Sequence, residues 1–307
     1  MSRRNHMALG YDQKLYILAF DHRGSFEKMF GISGRAPTDE ETAQIQDAKR
    51  LIFEGFQRAI EAGAPKAAAG VLVDGQYGPT VATDARAAGF NLAMPVEKSG
   101  QEEFDFEYGD AFGEKIEEYD PTFSKVLVRY NTEGDQGMNE RQSGRLKRLS
   151  DWLHENDRKF LFELLVPGTD AQLAGVDGDS DRYDTEVRPG LMMDAIREIL
   201  AAGIEPDIWK IEGIDSRDQC GEIAELVRSG GRDAVSCVVL GRGASHAKVD
   251  EWLRAGSGLP GYVGFAIGRS IFGESVKALA AGEGDRDAGV QAIADSYRRF
   301  IDVYEAG

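Results

Sequence analysis

The chain is predicted to fold as a (β/α)8 barrel (TIM barrel), an α/β architecture in which eight parallel strands close on themselves inside a ring of helices. Three observations predict it. Eight short apolar runs are each followed by a segment of helical periodicity. Several of those runs are almost wholly apolar, as strands covered by helices on their outer face are. No composition break or linker divides the 307 residues, so one barrel domain over 1–307 is the simplest organisation. A doubly wound open sheet would usually need fewer strands, and no glycine-rich dinucleotide fingerprint follows the first strand.

The first strand, 15–20, ends in Asp21-His22-Arg23-Gly24, and a long helix covers 38–62, where Thr38 and Glu41 have the spacing of a capping box. The second strand, 67–73, is closed by Asp74-Gly75, and Pro79-Thr80 opens a helix to 88. The third strand, 91–96, ends in Glu97-Lys98-Ser99-Gly100 before a charged helix at 110–119. The fourth, 125–130, leads into a helix at 139–156 with Trp152 and Leu153 on its apolar face. The fifth, 160–166, is stopped by Pro167-Gly168; residues 174–186, rich in Gly and Asp, read as a loop. A helix at 191–202 precedes the sixth strand, Asp207-Ile208-Trp209-Lys210-Ile211-Glu212-Gly213, and a helix at 217–228 follows it. The seventh strand, 235–240, and the eighth, 262–267, are followed by helices at 247–253, 270–281 and 287–304.

A net charge of -17 argues against nucleic acid or an anionic membrane as the main partner. It also requires any site for an anion to be a local basic island. Cys220 and Cys237 offer no disulfide framework and suggest a reducing compartment. No apolar run approaches the roughly 20 residues of a membrane helix, and Met1–His6 does not lead into the apolar core of a signal peptide. A cytoplasmic protein is expected. A homo-oligomer is an open reading.

In such a barrel the active site lies at the carboxyl ends of the strands. Polar residues gather there: Asp21, His22 and Arg23; Asp74; Glu97 and Lys98; Arg129; Lys210 and Glu212; Arg242; Arg269. Period-two alternation places Lys210 with Ile208 and Glu212 on one side of the sixth strand, and Trp209 with Ile211 on the helix side. The same parity sets Lys125 with Arg129, and Glu163 with Leu161 and Leu165. Lys125, Glu163 and Lys210 should therefore meet inside the barrel mouth. Burial favours the neutral amine of a lysine, and a second cation does so further; a carboxylate beside it moves protons. Those are the needs of Schiff-base chemistry. A Lys–Glu–Lys network that only fills the barrel is the structural alternative.

Gly241-Arg242-Gly243 and Gly268-Arg269 end the last two strands. Barrels often bind phosphate at these two loops, with glycines admitting the ligand and a helix N-terminus facing it. Turn glycines and surface arginines would explain the same residues without a ligand. The histidines, His6, His22, His154 and His246, have no metal-ligand spacing, and the acidic stretch Asp177, Asp179, Asp181, Asp184 lacks the glutamate a calcium loop needs. No metal or cofactor is expected.

Five stretches together carry a resemblance: Leu18-Ala19-Phe20-Asp21-His22-Arg23-Gly24; Met94-Pro95-Val96-Glu97-Lys98-Ser99-Gly100; Val126-Leu127-Val128-Arg129-Tyr130-Asn131; Asp207 to Gly213; and Gly264-Phe265-Ala266-Ile267-Gly268-Arg269. Over about residues 15–300 the chain resembles the aldolase-like domain often fused to the sugar kinase of bacterial myo-inositol catabolism. That domain is similar in turn to class I tagatose-1,6-bisphosphate aldolases and sulfofructose phosphate aldolases. The resemblance implies Lys210 as the Schiff-base lysine, Glu163 as the catalytic glutamate and Lys125 as the lysine that opens the fourth strand. The relatives have Asp-Gln-Arg-Gly after the first strand, so His22 is a departure. The implied reaction is cleavage of a ketose phosphate to dihydroxyacetone phosphate and an aldehyde. In the inositol pathway the substrate is 2-deoxy-5-keto-D-gluconate 6-phosphate. No kinase accompanies this chain, which leaves sulfofructose phosphate cleavage open. The substrate contacts expected from the strand ends and the last two loops are Asp21, His22, Arg23, Lys98, Arg129, Gly241, Arg242, Gly243, Gly268 and Arg269. An isomerase or epimerase, or a non-catalytic sugar-phosphate sensor, would use the same barrel.

Overall fold

A computed structural model of the protein describes residues 8–307; Met1–His6, read above as no signal peptide, lies outside the described residues. Eight parallel strands close into a barrel in the order β1 to β8: Leu15–Ala19, Ala69–Leu72, Asn91–Pro95, Phe123–Arg129, Lys159–Leu165, Ile208–Glu212, Ser236–Leu240 and Tyr262–Ile267. The outer ring is carried chiefly by α2 (Asp39–Glu61), α3 (Pro79–Ala87), α4 (Phe112–Tyr119), α5 (Gln136–Glu155), α8 (Arg188–Ala201), α9 (Arg217–Arg228), α10 (His246–Gly256), α11 (Arg269–Ala280) and α12 (Arg286–Ala306). The capping box expected at the start of α2 is present: the Thr38 hydroxyl accepts from Glu41 N, and the Glu41 carboxylate accepts from Thr38 N.

Alternation sorts each strand into two cores. Leu15, Ile17, Phe123, Leu161, Ile208 and Val238 fill the lower barrel interior, and Tyr11 closes it from below, edge-on to Phe123. Tyr16, Val126, Phe162, Trp209 and Ile211 face outward and pack with the helices. The upper interior is where apolar filling stops and charge begins.

Three expectations need correction. The fourth and fifth strands start earlier than read, at Phe123 and Lys159, so Lys125 is the third residue of its strand and not the first. A short helix, α1 (Gly24–Met29), follows the first strand. Residues 174–186 are a loop only at 176–179: α6 (Asp170–Gly175) precedes that turn, and α7 (Ser180–Arg182) and a π-helical turn, Tyr183–Val187, run directly into α8. Asp179 serves as a cap, its side chain accepting from the amides of Asp181 and Arg182, and Asp177 and Gly178 turn the chain with left-handed backbones. Cap chemistry has the same composition as loop chemistry, so the reading failed.

Candidate active site

The strand register sets the first cluster. Glu163 pairs with Lys210 on β6 and with Leu127 on β4, and Lys125 pairs with Leu161. Lys125 and Lys210 therefore flank Glu163 from the two neighbouring strands. Glu163 Oε2 lies 2.9 Å from Lys210 Nζ and 3.1 Å from Lys125 Nζ. Lys125 also donates to Asp21 Oδ2 at 2.8 Å and to Glu97 Oε1 at 2.6 Å. Its ammonium thus lies against three carboxylates, with hydrogen bonds to Asp21 and Glu97 and an ion pair with Glu163, and all five side chains are buried.

The electrostatics follow from that geometry. Burial opposes charge on Lys125, but Asp21, Glu163 and Glu97 outweigh it and hold its ammonium above the ordinary lysine range. Burial would raise Glu163, yet Lys125 and Lys210 hold it below the usual carboxylate range. Asp21 is likewise held low, chiefly by Lys125 against the cost of burial. Glu97 goes the other way, because burial outweighs Lys125 and Arg23. Burial pushes His22 down to about 4, opposed by Asp21 and aided by Arg269, Lys210 and Lys49, so its ring is neutral at ordinary pH.

The cluster forms the floor of a cavity of about 670 Å³ at the carboxyl ends of the strands. Asp21, His22, Arg23, Lys98, Lys125, Arg129, Glu163, Lys210, Arg242, Gly243, Gly268 and Arg269 all line it. Its walls carry eight Lys and Arg side chains against five Asp and Glu, a basic island in a chain of net charge -17. On the β1–β4 side, Arg23 donates to the Glu97 carbonyl at 2.8 Å and reaches Glu107 at 3.1 Å. Arg129 donates to the Gln101 carbonyl at 2.8 Å, and Lys98 stands at the exposed rim, 3.0 Å from Asp105.

The β7–β8 side is built differently. Arg242 has a left-handed backbone, φ 52°, followed by Gly243 at φ 75°. That conformation is uncommon for a residue with a Cβ and costs on the order of 1 kcal/mol. Gly268 packs against β1 so closely that a Cβ would lie 2.2 Å from the Ala19 carbonyl oxygen. It is also the N-cap of α11, and it has no side chain to satisfy the first-turn amides. Those amides and the Arg269 guanidinium are suited to an anion. No ion pair holds Arg269 among the described residues, and its Nη2 reaches only the Arg242 carbonyl, at 3.5 Å.

Two expected residues are elsewhere. Gly241 does not line the cavity; its Cα faces Ile267, where a Cβ would be 3.1 Å away. Asp74 is buried behind β1, paired with Lys49 of α2. Lys49, fully buried, also donates to the carbonyls of Phe20 at 2.8 Å and His22 at 3.0 Å, so it holds the Asp21–His22 turn from behind. It was missed because a lysine in a long helix ordinarily reads as surface. Ser180, Tyr183 and Asp184 line the cavity too, and they were lost in the presumed loop. Among the described residues no group of three or more His, Cys, Asp or Glu side chains is placed to hold a metal ion, and no helix is long and apolar enough to cross a membrane.

Comparison with known proteins adds three findings. A family model described as "Uncharacterized protein conserved in bacteria (DUF2090)" matches residues 3–307. The tagatose 1,6-diphosphate aldolase 2 proteins of Streptococcus pyogenes serotypes M1 and M18 (strain MGAS8232) are 27% identical over 170 residues, which is 53% of this chain and 48% of theirs. The chain thus matches about half the length of these curated relatives. The crystal structure of Cgl0159 from Corynebacterium glutamicum superposes with a TM-score of 0.53 at 18% identity, covering 97% of this chain and 90% of that one; this likeness concerns the fold.

Proposed function

The chain belongs to the bacterial family described as DUF2090, and within it we propose that this protein is a class I aldolase that cleaves a ketose phosphate through a Schiff base on Lys210. The observation that carries the reading is the contact of Glu163 Oε2 with both Lys210 and Lys125 at the floor of a basic cavity. Partial likeness to the streptococcal tagatose 1,6-diphosphate aldolases supports the same substrate class.

In this reading Lys210 passes a proton to Glu163 and its free amine attacks the substrate ketone. Glu163 returns that proton to the carbinolamine oxygen and relays a second one to it from the attached nitrogen; the oxygen leaves as water, and an iminium forms. A carboxylate then takes the proton of the neighbouring hydroxyl. The carbon–carbon bond breaks, its electron pair flows into the iminium, and the aldehyde departs. Protonation of the enamine and hydrolysis release dihydroxyacetone phosphate and return the lysine. Three carboxylates around Lys125 offset much of its charge, which favours substrate orientation over a through-space effect on Lys210 as its role.

The phosphate is assigned to the β7–β8 side, with Arg242, Arg269, Gly243 and the first turn of α11. The departing half then faces Arg23, Lys98 and Arg129 across the barrel. Three basic side chains there suit an aldehyde that bears an anionic group. 2-Deoxy-5-keto-D-gluconate 6-phosphate, whose aldehyde half carries a carboxylate, is the first substrate to assay; sulfofructose phosphate and tagatose 1,6-bisphosphate are the alternatives.

The test is incubation with dihydroxyacetone phosphate and borohydride, then peptide mass mapping. A reduced adduct on Lys210, absent from Lys210→Met, is the expected result. A bound but unmodified enzyme would point instead to a sensor or an isomerase.

A further inference from the structure

Four charged side chains close a ring at the β6–β7 edge of the cavity. Asp184, in the π-helical turn, lies between two guanidinium groups. Arg188 donates to its Oδ1 through Nε at 3.0 Å, and Arg242 donates to its Oδ2 through Nη1. Glu212, two residues beyond Lys210, lies between the same pair. Arg242 Nε is 3.3 Å from its Oε1, and Arg188 Nη1 is 3.8 Å from its Oε2. The Val166 amide also donates to Glu212 Oε2 at 2.9 Å.

The two arginines differ in freedom. Arg188 is 2% exposed and fixed by Nη2, which donates to the Gly213 carbonyl at 2.9 Å. Arg242 is about a third exposed, on a turn with left-handed backbone. The turn that carries Asp184 is anchored as well, through the Tyr183 hydroxyl donating to the Val166 carbonyl at 2.9 Å. One donor in the ring is spare: Arg188 Nη1 is buried and has no hydrogen-bond partner among the described residues.

This ring poses a difficulty for phosphate binding. Arg242 is engaged by two carboxylates, and a dianion that approaches it meets both. The spare donor removes the difficulty. If Arg242 turns to a ligand, Asp184 keeps its bond to Arg188 Nε, and Glu212 keeps the Val166 amide. Arg188 Nη1 need close by less than about 1 Å to give Glu212 Oε2 a charge-assisted hydrogen bond. No buried carboxylate is left without a cation in either arrangement, so neither incurs the cost of a stranded charge.

We propose that this ring is an exchange clamp: an anionic ligand draws Arg242 off Asp184 and Glu212, while Arg188, a positioning residue that does not touch the ligand, takes up both carboxylates. The proposal rests on the reading that phosphate lies at the β7–β8 loops. It deepens that reading by selecting for ligand charge. A compact dianion such as a phosphate ester repays the two contacts Arg242 gives up, and a monoanion such as acetate does not.

The test is titration calorimetry of the full chain with inorganic phosphate. Asp184→Asn removes one competitor for Arg242 and is expected to bind phosphate about two- to fivefold more tightly. Arg188→Gln, which alters no ligand contact, is expected to bind about tenfold more weakly, because both carboxylates then hold Arg242. The double variant Arg188→Gln/Asp184→Asn should recover toward wild type, a result that simple loss of structure would not give. If Arg188→Gln does not fold, Asp184→Asn decides alone. Unchanged or weaker binding by Asp184→Asn, or no phosphate binding by the wild type, overturns the clamp. Failure of the aldolase reading alone has another signature: phosphate binding with this same pattern, and no imine on Lys210.

Discussion

The cavity has two charged clusters, and they are built on different backbones. At β4–β6 the charges sit on strands, and the barrel's hydrogen-bond ladder sets their spacing. Glu163 is level with Lys210 because the strands pair there, and Lys125 is ion-paired with three carboxylates, two of them by hydrogen bonds. Toward β6–β8 most of the charges leave the strands: Asp184 and Arg242 lie on turns, and Arg188 and Arg269 open helices. Arg242 has a left-handed backbone, Arg269 has no ion pair among the described residues, and Arg188 has a donor in reserve. The first cluster is fixed on its strands by close ion pairs and is placed to move protons, with Glu97 Oε2 its one buried carboxylate oxygen lacking a partner among the described residues. The second keeps a spare cationic donor and can change partners. A network held on strands suits bond-making chemistry that needs fixed geometry, and one with a spare cationic donor on turns and helix starts suits a ligand that must enter and leave.

The sharpest way to break the contrast is at Glu163. Glu163→Gln keeps the shape but removes the shared carboxylate, and kcat on the ketose phosphate proposed above should fall about a hundred- to ten-thousandfold. A fall below about tenfold in steady-state assays would remove Glu163 from the chemistry. Next is Lys125→Met, which leaves Asp21, Glu97 and Glu163 facing one another without their shared cation. Urea titration should show a loss of about 3–5 kcal/mol; a loss under about 1 kcal/mol would mean that the cluster is less dry than it looks.

His22 gives a pH test of the same floor. Its pKa is pushed down to about 4, below the roughly 6.5 of an unfolded histidine. The unfolded chain therefore binds a proton first as pH falls. His22's contribution to stability is intact above about pH 6.5 and is lost progressively toward pH 4, by at most about 3 kcal/mol. His22→Gln should flatten the stability curve in that window, read by denaturant midpoints at several pH values. At the loop cluster, Arg269→Gln should raise KM for a phosphorylated substrate about ten- to a hundredfold while kcat changes less. The smallest effect belongs to the rim. Lys98→Ala loses an exposed pair with Asp105 and should change stability by under about 1 kcal/mol in thermal melts.

The same contrast explains what could be read in advance. Strand parity alone put Lys125, Glu163 and Lys210 on one inward face, because side chains on a strand have a fixed period and a covered parallel sheet has an unmistakable composition. Thr38 and Glu41 were legible for a similar reason, a short-range rule with fixed spacing. Gly241 was misread because a glycine in a strand-end loop can serve packing as well as a ligand. Asp74 was misread because its partner, Lys49, lies on a helix 25 residues away with nothing local to mark it. Arg188 and Asp184 were invisible for a deeper reason. Their pairing depends on how the π-helical turn folds over β6, and a stretch of caps has the composition of an unstructured loop.

The pairing of Glu163 with Lys210 across β5 and β6 has one more consequence. A slip of one residue would turn Lys210 toward the helices and Trp209 into the barrel, and the ladder could not then close with its apolar layer intact. Misassembled chains should therefore fail as folded proteins and not persist as inactive ones. Specific activity per folded molecule should be the same whether the protein is refolded slowly, quickly or from different denaturants, since the ladder that closes the cylinder also aligns its reactive groups.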